Sequence, residues 1–278
     1  MTENIERESI ELIESIASKR ENQIATSNWY CIAVSEHYFC NSFSLKISQA
    51  CAFTASGQGP LVAEVYKAAI LPFFADPVSR RLILRRIKGL FRLPQELLET
   101  KRLESLITSS FIFGVPRLLN AFFPLMKAIP DSASQDNTNF RISIPSLSSV
   151  SARGEAYMRV VFGDGDLDTF LSMMEEYWPD LKSLIVNDVY GMYQAEVSVL
   201  GKVETSQINI ASLVPMDCPS EVGWHMRGLI YNEGSMEELN EAFEIAKGVC
   251  EVCQVVLKKE LPKVQDVIGK EKLISRHG

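Results

Sequence analysis

Trp224-His225-Met226-Arg227-Gly228-Leu229-Ile230-Tyr231-Asn232-Glu233-Gly234-Ser235-Met236-Glu237-Glu238 holds the end of one helix and the start of the next. Ser235 followed by Glu238 is a capping box: the serine hydroxyl accepts the N–H of the third helical residue, and the glutamate reaches back to the serine N–H. The spacing predicts a helix from Ser235 to about Leu257. Gly234 stands where the preceding helix must stop. Helix, glycine stop and new amphipathic helix make a helical hairpin. A second segment of the same shape lies upstream, Ala52-Phe53-Thr54-Ala55-Ser56-Gly57 followed by Leu61-Val62-Ala63-Glu64-Val65-Tyr66. Two hairpins of one shape thus stand on either side of the chain's midpoint. An ancestral duplication explains them, and so do two unrelated hairpins.

Working outward, the period stays helical. Ile5, Ile10, Leu12, Ile13 and Ile16 share one face among acidic residues. Asp76-Pro77 is a cap followed by proline at the first helical position, opening Val78 to Phe91. Trp178-Pro179-Asp180 opens another helix, through Tyr193. Only Phe140 to Ile144 alternates as a strand would. The expectation is an all-α chain of about ten helices and essentially no sheet. Pro130 to Ser151 is polar and serine-rich and reads as a linker or long crossover. The expected division is residues 1–130, a linker at 131–151, and 152–278.

Composition narrows the function classes. Hydrophobic residues make up 46% of 278 and charged ones 23%, enough apolar content for a sizeable core. The net charge of -7 and the pI near 5.2 argue against nucleic acid as partner. The start, Met-Thr-Glu-Asn-Ile-Glu-Arg-Glu, lacks the apolar core of a secretory signal and is too acidic for a mitochondrial one. No apolar run reaches the roughly 18 residues of a membrane span. The most apolar stretch, Ser110 to Ile129, contains Pro116, Arg117, Asn120, Pro124 and Lys127. Six cysteines in a chain without a visible secretory signal are expected as free thiols. The last residues, Ser275-Arg276-His277-Gly278, do not match the peroxisomal tripeptide, which leaves a soluble intracellular protein as the expectation.

Three stretches together resemble the carboxymuconolactone decarboxylase-like family, which shares the alkylhydroperoxidase D fold. They are Phe113-Gly114-Val115-Pro116-Arg117-Leu118-Leu119-Asn120-Ala121; Arg153-Gly154-Glu155 with Val189-Tyr190-Gly191; and Trp224 to Glu238. The likeness covers about residues 50–130 and 150–250, and is similar above all to long, two-repeat fungal members, some of them peroxisomal. It implies an all-α fold of repeated helical hairpins, homodimers or higher homo-oligomers, and a peroxisomal location, with the cytoplasm or mitochondrion as alternatives. On this reading the N-terminal repeat is a degenerate copy. It has no histidine in the equivalent place, His37 being its only one, and the C-terminal repeat carries the site.

That site centres on His225, because a histidine serves as acid or base near neutral pH. Glu221 lies four residues earlier on the same helix face and could orient the ring. Cys218 lies seven residues earlier, near a helix N-terminus, where a thiol pKa is expected to fall. Pro219 suits the first turn of that helix. Glu204 is a loose match to the upstream glutamate of the alkylhydroperoxidase relatives. Those relatives also use a Cys-x-x-Cys pair, of which Cys218 matches the first position and Glu221 replaces the second, so a dithiol peroxidase is not expected. Trp224 would wall a cavity, and Arg227 would meet a substrate carboxylate through its planar fork. The competing reading is a histidine that only hydrogen-bonds a neighbouring helix.

Other motifs carry bland readings. Cys250-Glu251-Val252-Cys253 lacks the second pair that a zinc site needs and falls deep in the helix from Ser235, so it reads as two structural cysteines. Arg80, Arg81, Arg85, Arg86, Lys88 and Arg92 read as a solvated helix face, with a membrane-surface or anionic-ligand face as the alternative. Gly163-Asp164-Gly165-Asp166 lacks the later ligands of a calcium loop and reads as a helix cap. No metal and no cofactor is expected. The chain is then either a decarboxylase-like enzyme acting on a small carboxylated or lactone substrate, with His225 as acid/base, Glu204 as its partner and Cys218 in the pocket, or a non-catalytic oligomeric scaffold or binding protein of the same fold. A single-thiol antioxidant working through Cys218 is a third reading.

Overall fold

The computed structural model describes residues 4–5, 7–15, 48–67, 104, 106–128, 146–197 and 200–267. Among them every regular element is a helix, so the fold is all-α. The elements that place the site are α1 (Val115–Ala128), α2 (Leu147–Phe162), α3 (Asp164–Tyr177), a π-helical segment π1 (Leu184–Gln194), α4 (Lys202–Leu213), α5 (Pro219–Tyr231) and α6 (Met236–Val252). The basic run Arg80–Arg92, its capping Asp76-Pro77 and the strand-like Phe140–Ile144 lie outside the described residues. So does most of the expected linker, but Ser146 caps α2 and residues 147–151 are already helical.

α4 is the centre of the structure. Its residues Thr205 to Leu213 are all buried. It packs against α5, α6 and the short helix Ser110–Phe113. The N-terminal hairpin and the C-terminal half share one core: Cys51, Phe53, Leu61, Val65 and Leu106 cluster with Leu200, Ile208, Ala211 and Val249. Burying each large aliphatic side chain of this kind contributes about 1.5–3 kcal/mol. The Phe113–Ala121 stretch clamps the N-terminal hairpin onto this core. Gly114 adopts φ 83, the left-handed region glycine enters at no steric cost, and breaks the helix before α1. Arg117 donates to the Ala55 carbonyl.

A close crossing joins α2 to π1. A Cβ on Gly154 would lie 2.1 Å from the Val186 carbonyl oxygen, and one on Gly191 would lie 2.6 Å from that of Val150. Two glycines thus let two backbones touch. The Gly191 carbonyl, in the last turn of π1, accepts from Arg153 Nε at 2.8 Å, while Arg153 also pairs with Glu196 at 3.3 Å. The expected helix from Pro179 through Tyr193 is there, but from Leu184 onward it is π-helical.

Helix ends repeat one device. Gly57, Asp217, Glu233 and Gln254 all have positive φ, and each following N–H returns to a carbonyl five residues back: Gln58 to Phe53, Cys218 to Leu213, Gly234 to Leu229, Val255 to Cys250. These are Schellman closures. At the second hairpin the left-handed residue is Glu233, φ 72, not the glycine. Gly234 is needed for space, since its Cβ would lie 2.9 Å from the Leu229 carbonyl oxygen. Gln254 ends α6 at Val252, five residues short of the expected Leu257, so Cys253 caps the helix rather than lying inside it.

Candidate functional site

α4 begins at Gly201, whose N–H donates to Glu204 Oε2 at 2.9 Å. α5 begins at Cys218 with Pro219 in its first turn, as the sequence suggests. Between them, the Asp217 carboxylate accepts the Lys258 and Lys259 N–H groups at 3.3 and 3.2 Å and pins the C-terminal segment across the loop. That segment brings Pro262 and Val267 onto Gly223 of α5. The α4–α5 pair then places His225 against Asn209.

His225 is 5% exposed. Its Nδ1 lies 3.3 Å from Asn209 Nδ2, its hydrogen-bond partner among the described residues. The same Asn209 nitrogen donates to Gln194 Oε1 at 2.6 Å. Gln194 Nε2 donates to Asn209 Oδ1 at 3.3 Å and to the Thr108 carbonyl at 3.1 Å. The four amide protons are all used. Because Asn209 Nδ2 can only donate, Nδ1 accepts and the imidazole is neutral with its proton on Nε2. Burial lowers the His225 pKa from 6.5 to about 4, the penalty for placing a cation in a site largely removed from water. The chain of groups ties together four helical segments: residues 106–108, π1, α4 and α5.

The other expected site residues are engaged elsewhere. Glu204 lies in the first turn of α4, about 7.5 Å along the axis from Asn209 at 1.5 Å per residue, and its carboxylate caps its own helix. Cys218 donates its thiol to the Met216 carbonyl at 3.4 Å. Its pKa is raised rather than lowered, first by burial and then by the Glu221 carboxylate in the same turn. Burial and the acidic neighbours Glu221 and Asp217 set this direction, against the opposite pull of Lys259. Glu221 also raises Tyr190, behind the larger effects of burial and of Tyr157. Trp224 packs on Phe162, with ring centroids 4.6 Å apart, in the cluster that joins α2, α3 and π1. Arg227 donates to the Val160 carbonyl near the end of α2 and stacks 4.0 Å over the Tyr231 ring. One arm of its fork is thus held by the fold.

Among the described residues one surface groove runs along Asp168, Glu175 and Lys182 and another lies between α6 and Pro262; His225 is in the wall of neither. Among the described residues no group of three His, Cys, Asp or Glu could hold a metal ion. Cys250 and Cys253 are free thiols raised by burial to about 12 and about 11. Neither supplies thiolate near neutral pH.

Sequence reasoning missed Asn209 and Gln194. The signal was there: Thr205-Ser206-Gln207-Ile208-Asn209-Ile210-Ala211-Ser212 mixes polar and apolar residues with no solvent face. Such a helix is either exposed or buried on every side. The buried case calls for each polar group to find a partner; Ser206, Gln207 and Ser212 do so through the Lys202, Glu238 and Ile208 carbonyls, and the buried Thr205 hydroxyl does not.

The chain is similar to Peroxisomal protein 2 of Schizosaccharomyces pombe. The two are 25% identical over 158 residues, which is 57% of this chain and 72% of the yeast protein. No family model matches the chain. No solved structure matches it. Among the described residues no helix is long and apolar enough to cross a membrane.

Proposed function

We propose that this is a non-catalytic, self-associating helical protein of the carboxymuconolactone decarboxylase-like type, working in the peroxisome. The observation that carries the first part is the state of His225. An acid/base residue needs reach to a substrate proton and a pKa near the working pH. His225 is buried, bonded to a neutral amide, and lowered to about 4. It reads as the keystone of a polar network that fixes how four helical segments meet. Cys218, with its pKa raised, gives no support to the single-thiol reading. The peroxisomal part rests on the name of the yeast relative.

The test uses the full chain. The purified protein is incubated with carboxylated lactones, and separately with peroxide and a reducing thiol. The expected result is no turnover above buffer, for wild type and His225→Gln alike. Turnover by the wild type that vanishes in a normally folded His225→Gln variant would restore the enzyme reading. A fluorescent fusion of the full-length gene product should coincide with a peroxisomal marker; uniform cytoplasmic fluorescence would remove the location.

A further inference from the structure

α3 has two unlike faces. Leu167, Leu171 and Met174 point inward and are buried. On the other side Asp166, Met173 and Tyr177 follow at spacings of seven and four residues, which share one face at 3.6 residues per turn. Met173 is 51% exposed and Tyr177 77%. Glu176 stands beside them and also forms part of the wall of the groove along Asp168, Glu175 and Lys182. Trp178 comes next and is 61% exposed. It occupies the N-cap of the short helix Pro179–Ser183, where its side chain makes no capping hydrogen bond. A serine or aspartate there would cap the helix, so the indole serves neither the cap nor the core. Residues 163–188 hold seven Asp or Glu against one Lys and no Arg, which is most of the protein's net charge of -7. The neighbouring cations are committed: Lys182 pairs with Glu175 at 2.8 Å, Arg159 pairs with Asp168 at 3.1 Å, and Arg227 donates to the Val160 carbonyl. Asp166, Glu176 and Asp180 have no ion-pair partner among the described residues.

We propose that this face of α3, together with Trp178, docks a basic, arginine-bearing segment of another protein. A guanidinium pairs with a carboxylate through its planar fork and stacks on an aromatic ring. Asp166, Glu176 and Asp180 supply the first kind of contact, and Tyr177 and Trp178 the second. Tryptophan and tyrosine are also the side chains on which interface affinity concentrates. The sign of the charge disfavours other occupants. Nucleic acid and an anionic lipid surface carry phosphates, which this face repels. A two-fold contact with a second copy would set the acidic face against its own image, like charge against like. From Asp166 to Tyr177 the face is about 16 Å long at 1.5 Å per residue, the length of about five extended residues. A contact of that size is weak, and because its charges are exposed it is sensitive to salt.

The test uses the full chain and a fluorescein-labelled synthetic peptide alternating arginine and leucine, with one alternating glutamate and leucine as control. Fluorescence anisotropy should give a dissociation constant on the order of 10 µM at low salt for the first peptide and no binding of the second. Raising salt from about 50 to 500 mM should weaken binding at least about tenfold. Glu176→Lys combined with Asp180→Lys should abolish it, and Trp178→Ala should weaken it about tenfold or more. Circular dichroism should stay that of the wild type in each, because all three side chains are exposed. Glu251→Lys with Glu260→Lys makes the same charge change at exposed residues elsewhere and should leave the affinity within about twofold. If that control pair weakens binding as much, or if Trp178→Ala has no effect, the peptide is merely drawn to an acidic protein and the proposal fails. A wild type that binds neither peptide overturns it as well. If binding then appears in Arg85→Glu with Arg86→Glu, the face belongs to the chain's own basic run and not to another protein.

Discussion

Acid should unfold this protein partly through His225. The ordinary pKa of 6.5 holds in the unfolded chain, and burial lowers it to about 4 in the native state. Between those values the unfolded chain binds a proton that the native state refuses, so stability is complete above pH 6.5 and is lost as pH falls toward 4. At 1.36 kcal/mol per pH unit, the loss from this residue is about 2 kcal/mol by pH 5 and about 3 kcal/mol by pH 4. That is a large share of a typical 5–15 kcal/mol. The assay is urea denaturation of wild type and His225→Gln at pH 7, 6, 5 and 4. Glutamine keeps an acceptor for Asn209 but does not titrate, so carboxylate effects cancel in the difference. The wild type should lose about 3 kcal/mol more than the variant between pH 7 and pH 4. Parallel losses in the two proteins would refute the reasoning, because His225 would then be protonated as easily folded as unfolded.

Three further outcomes follow from the packing. Gly154→Ala puts a methyl within 2.1 Å of the Val186 carbonyl oxygen and should lower stability by about 3 kcal/mol or more; an unchanged melting temperature would mean that α2 and π1 do not cross as described. Replacing Cys250 and Cys253 together by alanine should leave self-association unchanged, and neither wild-type thiol should react quickly with a disulfide reagent at pH 7.5 unless urea is added; fast native-state reaction would contradict their raised pKa values. Asp217→Ala removes the acceptor for the Lys258 and Lys259 N–H groups, so hydrogen exchange should speed up in residues 255–263 while α4 stays protected.

The all-α class was legible because its signals are local. Ser235 accepts the Glu238 N–H at 3.1 Å and Glu238 returns to the Ser235 N–H at 2.7 Å, the box read from four residues. Pro179 starts its helix and Gly163 caps one, as read. What escaped was non-local. The close crossing of α2 and π1 depends on Gly154 and Gly191, thirty-seven positions apart, meeting in space. The surroundings of His225 depend on Asn209 from another helix and on Gln194 from the end of π1. Helical spacing alone put Glu221 and Cys218 beside the histidine, and it gives no account of which side of α5 the core would cover. The α6 end was misjudged for a local reason: Gln254 takes a left-handed conformation that glycine or asparagine usually announces.

The protonation state of the His225 ring decides between a structural and an acid/base histidine. The sequence has three histidines, so nitrogen-15 spectra of imidazole-labelled protein can be assigned by single substitutions. Titrated from pH 8 to pH 4, His225 should hold one unprotonated nitrogen, Nδ1, and a proton on Nε2, and begin to protonate only near pH 4. A ring that titrates at or above 6.5, or that carries its proton on Nδ1, would contradict the account and put acid/base chemistry back at this position.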